Sequence, residues 1–165
     1  MSERETHPFG PVYDETSRIL ILGSFPSVKS REENFFYGHP QNRFWKVLKA
    51  VTGYQGEVST IEEKKDMLKM YHIALWDTIA SCDIEGSSDS SIRNVVANDF
   101  SEILETGKIR AIFCNGNTSF TLYGKYCADA TGIAARVLPS TSPANASWSL
   151  KKLIEQWHRE LSPYI

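Results

Sequence analysis

The sequence predicts an α/β fold: a three-layer α/β/α sandwich around a four-stranded parallel sheet. Three observations carry this. Short apolar runs lie at residues 18–23, 72–76, 109–114 and 134–138, each followed by a stretch of helical periodicity. The runs are continuous rather than alternating, as in strands covered on both faces. Each run also stops abruptly, at Gly23, at Asp77, at Asn115-Gly116 and at Pro139.

Residues 1–17 are polar, contain Pro8, Gly10 and Pro11, and read as an N-terminal arm; residues 18–165 read as a single domain. After the first strand comes a loop to Pro40, dense in Ser24, Ser27, Tyr37, His39, Gln41 and Asn42. A helix follows, because Phe44, Val47, Leu48 and Val51 stand at i, i+3, i+4, i+7. Thr60 and Glu63 form a capping box that opens a helix with Met67, Leu68 and Met70. The second strand ends at Asp77-Thr78. The Ser-, Asp- and Gly-rich residues 81–91 read as an exposed loop, and 92–104 as a helix with Val95, Val96, Phe100, Ile103 and Leu104 apolar. The third strand, a helix over 118–128 and the fourth strand follow. The last helix carries Leu150, Leu153, Ile154, Trp157 and Leu161 on one face.

The length of 165 residues suits one domain with a sizeable core. No apolar run approaches the roughly 20 residues that span a bilayer, and the N-terminus lacks the order of a signal peptide, so a cytoplasmic location (nuclear in a eukaryote) and no membrane partner are expected. Three widely spaced cysteines, Cys82, Cys114 and Cys127, fit neither a disulfide framework nor an iron–sulfur or zinc set. A net charge of −2 gives no global sign of a nucleic-acid partner. Any such contact falls to a local patch, for which Lys29, Arg31, Arg43, Lys46 and Lys49 are the candidates.

In a parallel sheet the four strand ends share one edge, where ligands of open α/β sheets bind. That edge offers Ser24, Ser27, His39 and Asn42, then Asp77 and Thr78, then Asn115 and Asn117, then Ser140, Thr141, Ser142 and Asn145. One carboxylate among amides, hydroxyls and rings favours a neutral ligand held by hydrogen bonds and stacking over a metal site; no metal and no cofactor are expected. The segment Gly23-Ser24-Phe25-Pro26-Ser27 is not a hydrolase elbow, and no phosphate loop or dinucleotide fingerprint occurs. Taken alone, Asn42 reads equally as a catalytic amide and as a helix cap.

Three segments carry a resemblance: 23–27, the stretch Tyr37-Gly38-His39-Pro40-Gln41-Asn42-Arg43-Phe44-Trp45, and 138–146. They resemble the uracil-DNA glycosylase superfamily, most of all its hypoxanthine (deoxyinosine) branch, with the mismatch-specific uracil/thymine branch next. The resemblance implies the same sandwich fold and a base-excision repair activity on DNA containing a deaminated base. It implies a monofunctional enzyme acting as a monomer. The water-activating Asp or Asn that the family carries before the first-loop proline is Phe25 here. The resemblance then implies Asn42 as the catalytic residue, as in the hypoxanthine branch. It implies Phe25, Tyr37, Asp77 and Asn115 around the base, with Tyr37 stacking and Asp77 reading its edge. Ser24, Ser27, His39, Ser140, Ser142 and Asn145 would contact DNA. The wedge position near Ala144 is small. Because Phe25 removes the usual activating group, a damaged-DNA-binding module with little catalysis is the alternative, and a free-nucleoside hydrolase is a third.

Overall fold

The computed structural model describes residues 2–165. In chain order its first half runs β1 (Glu3–Thr6), β2 (Ile19–Gly23), α1 (Val28–Glu33), α2 (Phe44–Thr52), α3 (Ile61–Met70), β3 (Ile73–Asp77), β4 (Ile79–Ile84) and β5 (Arg93–Ala97). The second half runs α4 (Ser101–Leu104), β6 (Ala111–Asn115), α5 (Asn117–Tyr126), α6 (Ala128–Thr131), β7 (Ala135–Leu138) and α7 (Leu150–Leu161). Strands β3-β2-β6-β7 form a four-stranded parallel sheet in that order, with β2 and β6 inside.

The continuous apolar run of β2 has a simple cause: its alternate side chains enter two different cores. Ile19 and Ile21 pack with Phe44, Leu48, Leu153 and Trp157 beneath α2 and α7. Leu20 and Leu22 pack on the opposite face with Ile112, Cys114, Phe100, Ile103 and Tyr123. The capping box forms at α3, with Thr60 and Glu63 each accepting the other's backbone N–H. All three cysteines are buried and free. Among the described residues no helix is long and apolar enough to cross a membrane.

Three stretches differ from expectation, and they form one unit. Residues 81–91 are an exposed loop only in part: β4 occupies 81–84, and the exposed residues 85–90 run into a single 3-10 turn at Asp89–Ser91. The expected helix over 92–104 is instead strand β5 followed by the one-turn α4. The segment expected as an arm contains β1, which pairs antiparallel with β4, while Val12 bridges to Leu75. Together β1-β4-β5 make a second, antiparallel sheet. Its period-2 pattern is blurred because the β4–β5 register shifts twice. What holds it is a small apolar cluster of Phe25, Ile79, Cys82, Ile84 and Ile92.

Candidate active site

The two sheets meet at one residue. Only Thr78 separates β3 from β4, so Asp77 closes the parallel sheet where the ribbon begins. Across the sheet Asp77 is in register with Gly23. A Cβ at position 23 would stand 2.5 Å from Asp77 Oδ1 and 3.2 Å from the Tyr37 hydroxyl. Glycine there lets a carboxylate and a phenol approach the backbone together. From the ribbon, the β1 register continues one step with His7 N–H donating to Ala80 C=O, and this carries the His7 ring to Asp77. The His7 Nε2–Asp77 Oδ2 distance is 2.7 Å, with both side chains almost fully buried. His7 Nδ1 accepts from the Phe9 N–H at 3.4 Å, so Nε2 is the protonated nitrogen and donates to the carboxylate. Oδ1 is left to accept.

A cavity of about 520 Å³ opens over this floor, within the range of small-ligand sites. It is lined by residues of the first loop, Asp77, Asn115, the 87–90 turn and the 140–144 loop. Tyr37 stacks on Phe44 with ring centroids 3.9 Å apart and planes 13° from parallel. Its φ of +53° is rare for a bulky side chain and marks a position the surroundings enforce. Its hydroxyl is buried and makes no hydrogen bond of good geometry. Burial raises its pKa, the Asp77 charge adds to the rise, and the neighbouring Asn115 amide opposes it. The hydroxyl is therefore a permanent donor.

Thr141, fully buried, is the hub of the opposite wall. Its N–H donates to Asn115 Oδ1 at 3.0 Å, and Asn115 Nδ2 donates back to its hydroxyl at 3.0 Å. That hydroxyl donates to Asn42 Oδ1 at 2.8 Å. Asn42 Oδ1 also accepts the Phe44 N–H at 2.9 Å; Asn42 stands one residue ahead of Arg43, the N-cap of α2. Both lone pairs of that oxygen are thus engaged. The Phe44 N–H requires an acceptor, which fixes the amide orientation, and Asn42 Nδ2 remains as the group free for a ligand. Asn42 thus holds the first N–H of α2 with its oxygen and keeps its nitrogen for a ligand, while the N-cap expected at Asn42 is Arg43.

The remaining expected residues take defined places. Phe25 lines the cavity while its ring, 8% exposed, belongs to the cluster beneath the ribbon. Ser24 lies beside it and donates its hydroxyl to Asp89 Oδ1 at 3.0 Å. Ser27 is the N-cap of α1, its Oγ accepting the Ser30 N–H and donating to Ser30 Oγ. His39 Nδ1 accepts the Gln41 N–H. In the last loop Ser140 Oγ accepts the Ser142 N–H, Ser142 Oγ accepts the Ala144 N–H, and Asn145 Nδ2 donates to Ser140 C=O. Arg43 fastens that loop through carbonyls of Thr141, Ser142, Asn145 and Trp148. Arg31 is similarly engaged with the carbonyls of Pro26 and Gly86. Two of the five candidate patch cations are therefore internal clamps.

His7 and Asp89 lay outside the expected edge, and Thr141 stood on it without an assigned role. Thr141 was legible only as one hydroxyl among several at the fourth strand end. His7 and Asp89 carried no local signal, because the ribbon that delivers them was itself not legible.

The fold and pocket define an α/β protein with a cavity at the carboxyl edge of a parallel sheet, lined by the carboxylates of Asp77 and Asp89 and by a set of amide and hydroxyl groups. The chain belongs to the uracil DNA glycosylase superfamily, whose model matches residues 11–162. It is 38% identical to a hypoxanthine DNA glycosylase of Methanosarcina acetivorans over 152 residues, covering 90% of this chain and 93% of that one. A hypoxanthine DNA glycosylase of Methanosarcina barkeri is 34% identical over the same length. A solution NMR structure from Methanosarcina acetivorans, described as a candidate uracil DNA glycosylase, superposes with a TM-score of 0.75 at 35% identity. That match covers 92% of this chain and 95% of the other.

Proposed function

We propose that this protein is a monofunctional DNA N-glycosylase that hydrolyses the N-glycosidic bond of a deaminated base, hypoxanthine and/or uracil, in DNA. Relatives named hypoxanthine DNA glycosylase, at 38% and 34% identity, support the substrate class. The observation that carries the reading is Asp77, buried at the pocket floor with one oxygen saturated by His7 and the other left as an acceptor. Hypoxanthine presents an N–H at N1 and uracil at N3. Adenine and cytosine present a bare ring nitrogen instead. Leaving a buried charged acceptor unpaired costs about 1–3 kcal/mol or more, so the site discriminates against the undamaged parents.

The other roles follow from the groups left free. The base leaves the duplex stack to enter the pocket and lies against the Tyr37 ring, whose far side is already supported by Phe44. The Tyr37 hydroxyl and Asn115 stand beside it. Asn42 Nδ2 donates to the attacking water. Ser24, Ser27, His39, Ser140, Ser142 and Asn145 border the DNA path, where hydroxyls and backbone N–H groups serve phosphates. The enzyme works as a cytoplasmic monomer (nuclear in a eukaryote), without a metal, iron–sulfur cluster or membrane.

The test is a duplex oligonucleotide carrying one deoxyinosine or one deoxyuridine, incubated with the protein and then treated with alkali. Strand breakage at the lesion is the expected result. Retention of the duplex without breakage would leave a binding module, and turnover of free nucleosides alone would leave a nucleoside hydrolase.

A further inference from the structure

We infer that Asp89, in the turn between β4 and β5, is a catalytic residue of the glycosylase: it holds the attacking water and accepts its proton, the task Phe25 cannot perform. The inference rests on the proposed glycosylase function.

The first-loop position that carries the family's activating group is an apolar side chain turned into a core here. That core, Phe25 with Ile79, Cys82, Ile84 and Ile92, is what seats the antiparallel ribbon. The ribbon's turn then folds back over the next residue of the same loop, so that Asp89 Oδ1 accepts from Ser24 Oγ at 3.0 Å. A carboxylate thus reaches the first loop from the β4–β5 turn, beside the residue that lacks one. Asp89 and Asp77 are the carboxylates lining the cavity. Asp77 is committed to His7, and Asp89 Oδ2 makes no hydrogen bond to protein.

Asp89 is not needed to fasten its turn. Val28 N–H donates to Ser87 Oγ at 2.9 Å, Arg31 donates to Gly86 C=O at 3.0 Å, and Ser91 Oγ accepts the Glu85 N–H at 2.8 Å. Among the described residues no cation pairs with it. A carboxylate directed into a pocket, near a second carboxylate and without a cation, is a costly arrangement typical of working groups. The residue as a whole is exposed, but its carboxyl turns inward. Desolvation there raises its pKa and Asp77 adds to the rise, while the Ser24 hydroxyl opposes it. A raised carboxylate is a better proton acceptor near neutral pH.

Asn42 and Asp89 then divide the work. Asn42 Nδ2 donates to the water oxygen and Asp89 Oδ2 accepts a water proton. The water oxygen bonds to C1′ of the sugar as the C1′–N bond breaks, and that bond's electron pair leaves with the base. The proton passes to Asp89 and on to solvent. The products are the abasic hemiacetal and the base anion, which takes a proton from solvent.

The titratable groups around Asp89 are Asp77 on β3, Tyr37 in the first loop and His39 on the cavity wall, while Arg31 on α1 and Arg93 on β5, nearby in the chain fold, spend their guanidinium groups on backbone carbonyls. The test compares wild type with Asp89→Asn, which keeps shape and can still accept from Ser24. Single-turnover cleavage of the deoxyinosine duplex is followed across pH, together with DNA binding and thermal melting. We expect cleavage to fall about 10²-fold or more, in the range of a lost general base, with binding changed less than about threefold. The wild-type rate should rise with pH through an inflection above the ordinary aspartate range, and the variant should lack that inflection. Melting should not fall, since the variant removes a desolvated charge. A variant rate within about threefold of wild type, a retained inflection, or a variant that fails to fold would each overturn the assignment. If wild type cleaves neither deoxyinosine nor deoxyuridine, the glycosylase reading fails and takes this inference with it. If wild type cleaves and the variant matches it, only the role of Asp89 fails.

Discussion

The parallel sheet and the antiparallel ribbon build the pocket in opposite ways. The parallel sheet and its following loops contribute groups that are mostly satisfied already: Asn115 with Thr141, Thr141 with Asn42, Asn42 with the start of α2. These are neutral, and they fix shape. The ribbon is thin, rests on a small cluster of its own, and brings ionisable side chains to that frame: the His7 ring, which donates to Asp77 of β3, and Asp89, which accepts from Ser24. The lesson is a division of labour. A well-packed scaffold can hold a rigid recognition surface because its polar groups pair internally. The ribbon sets its ionisable side chains against groups of that scaffold, His7 saturating one oxygen of Asp77 and Asp89 keeping Oδ2 for a ligand.

The largest expected effect comes from cutting the link between the two. His7→Ala leaves Asp77 buried without its donor, and a buried charged acceptor left unpaired costs about 1–3 kcal/mol or more. Chemical denaturation measures it. A loss below about 1 kcal/mol would mean the ribbon touches the sheet without supporting it.

Within the scaffold, Asn42→Ala should lower single-turnover cleavage about 10²-fold, as for loss of a positioned donor, and weaken DNA binding far less. It should also cost about 1 kcal/mol of stability through the Phe44 N–H left without its acceptor. A folded variant with full activity would reduce Asn42 to that acceptor.

At the junction, Asp77→Asn still accepts from His7 but can present a donor to the base. The preference for deoxyinosine and deoxyuridine over deoxyadenosine and deoxycytidine should narrow about tenfold, the equivalent of one hydrogen bond. Four cleavage rates measured in one sequence context decide it. Unchanged ratios would remove Asp77 from base reading.

The smallest effect concerns the outer surface. Arg31 and Arg43 spend their guanidinium groups on backbone carbonyls, and Lys29 pairs with Glu33. Few cations are left for phosphates, so DNA affinity should fall gently with salt. A slope like that of a protein with about 6–10 phosphate contacts would locate the DNA-binding surface elsewhere.

Taken alone, the sequence determined the parallel sheet, most of the flanking helices and the carboxyl edge where the site lies. Strands covered on both faces must be apolar at every position, and helices on a core must repeat near 3.6 residues, so both constraints are written locally. Asp77 and Asn115 were legible as strand ends and Asn42 and Tyr37 as part of the loop after the first strand, while the roles expected of them came from the family resemblance. Tertiary structure alone decided the ribbon. Ile79, Cys82 and Ile84 bury against Phe25, a residue more than 50 positions earlier, and a shifting register breaks the alternation that would have revealed a strand. Val95 and Val96 lie in a window that suits a helix until β4 is there to pair with it. For the same reason no local pattern could place His7 on Asp77 or Asp89 on Ser24, because those contacts close over 70 and 65 residues of chain.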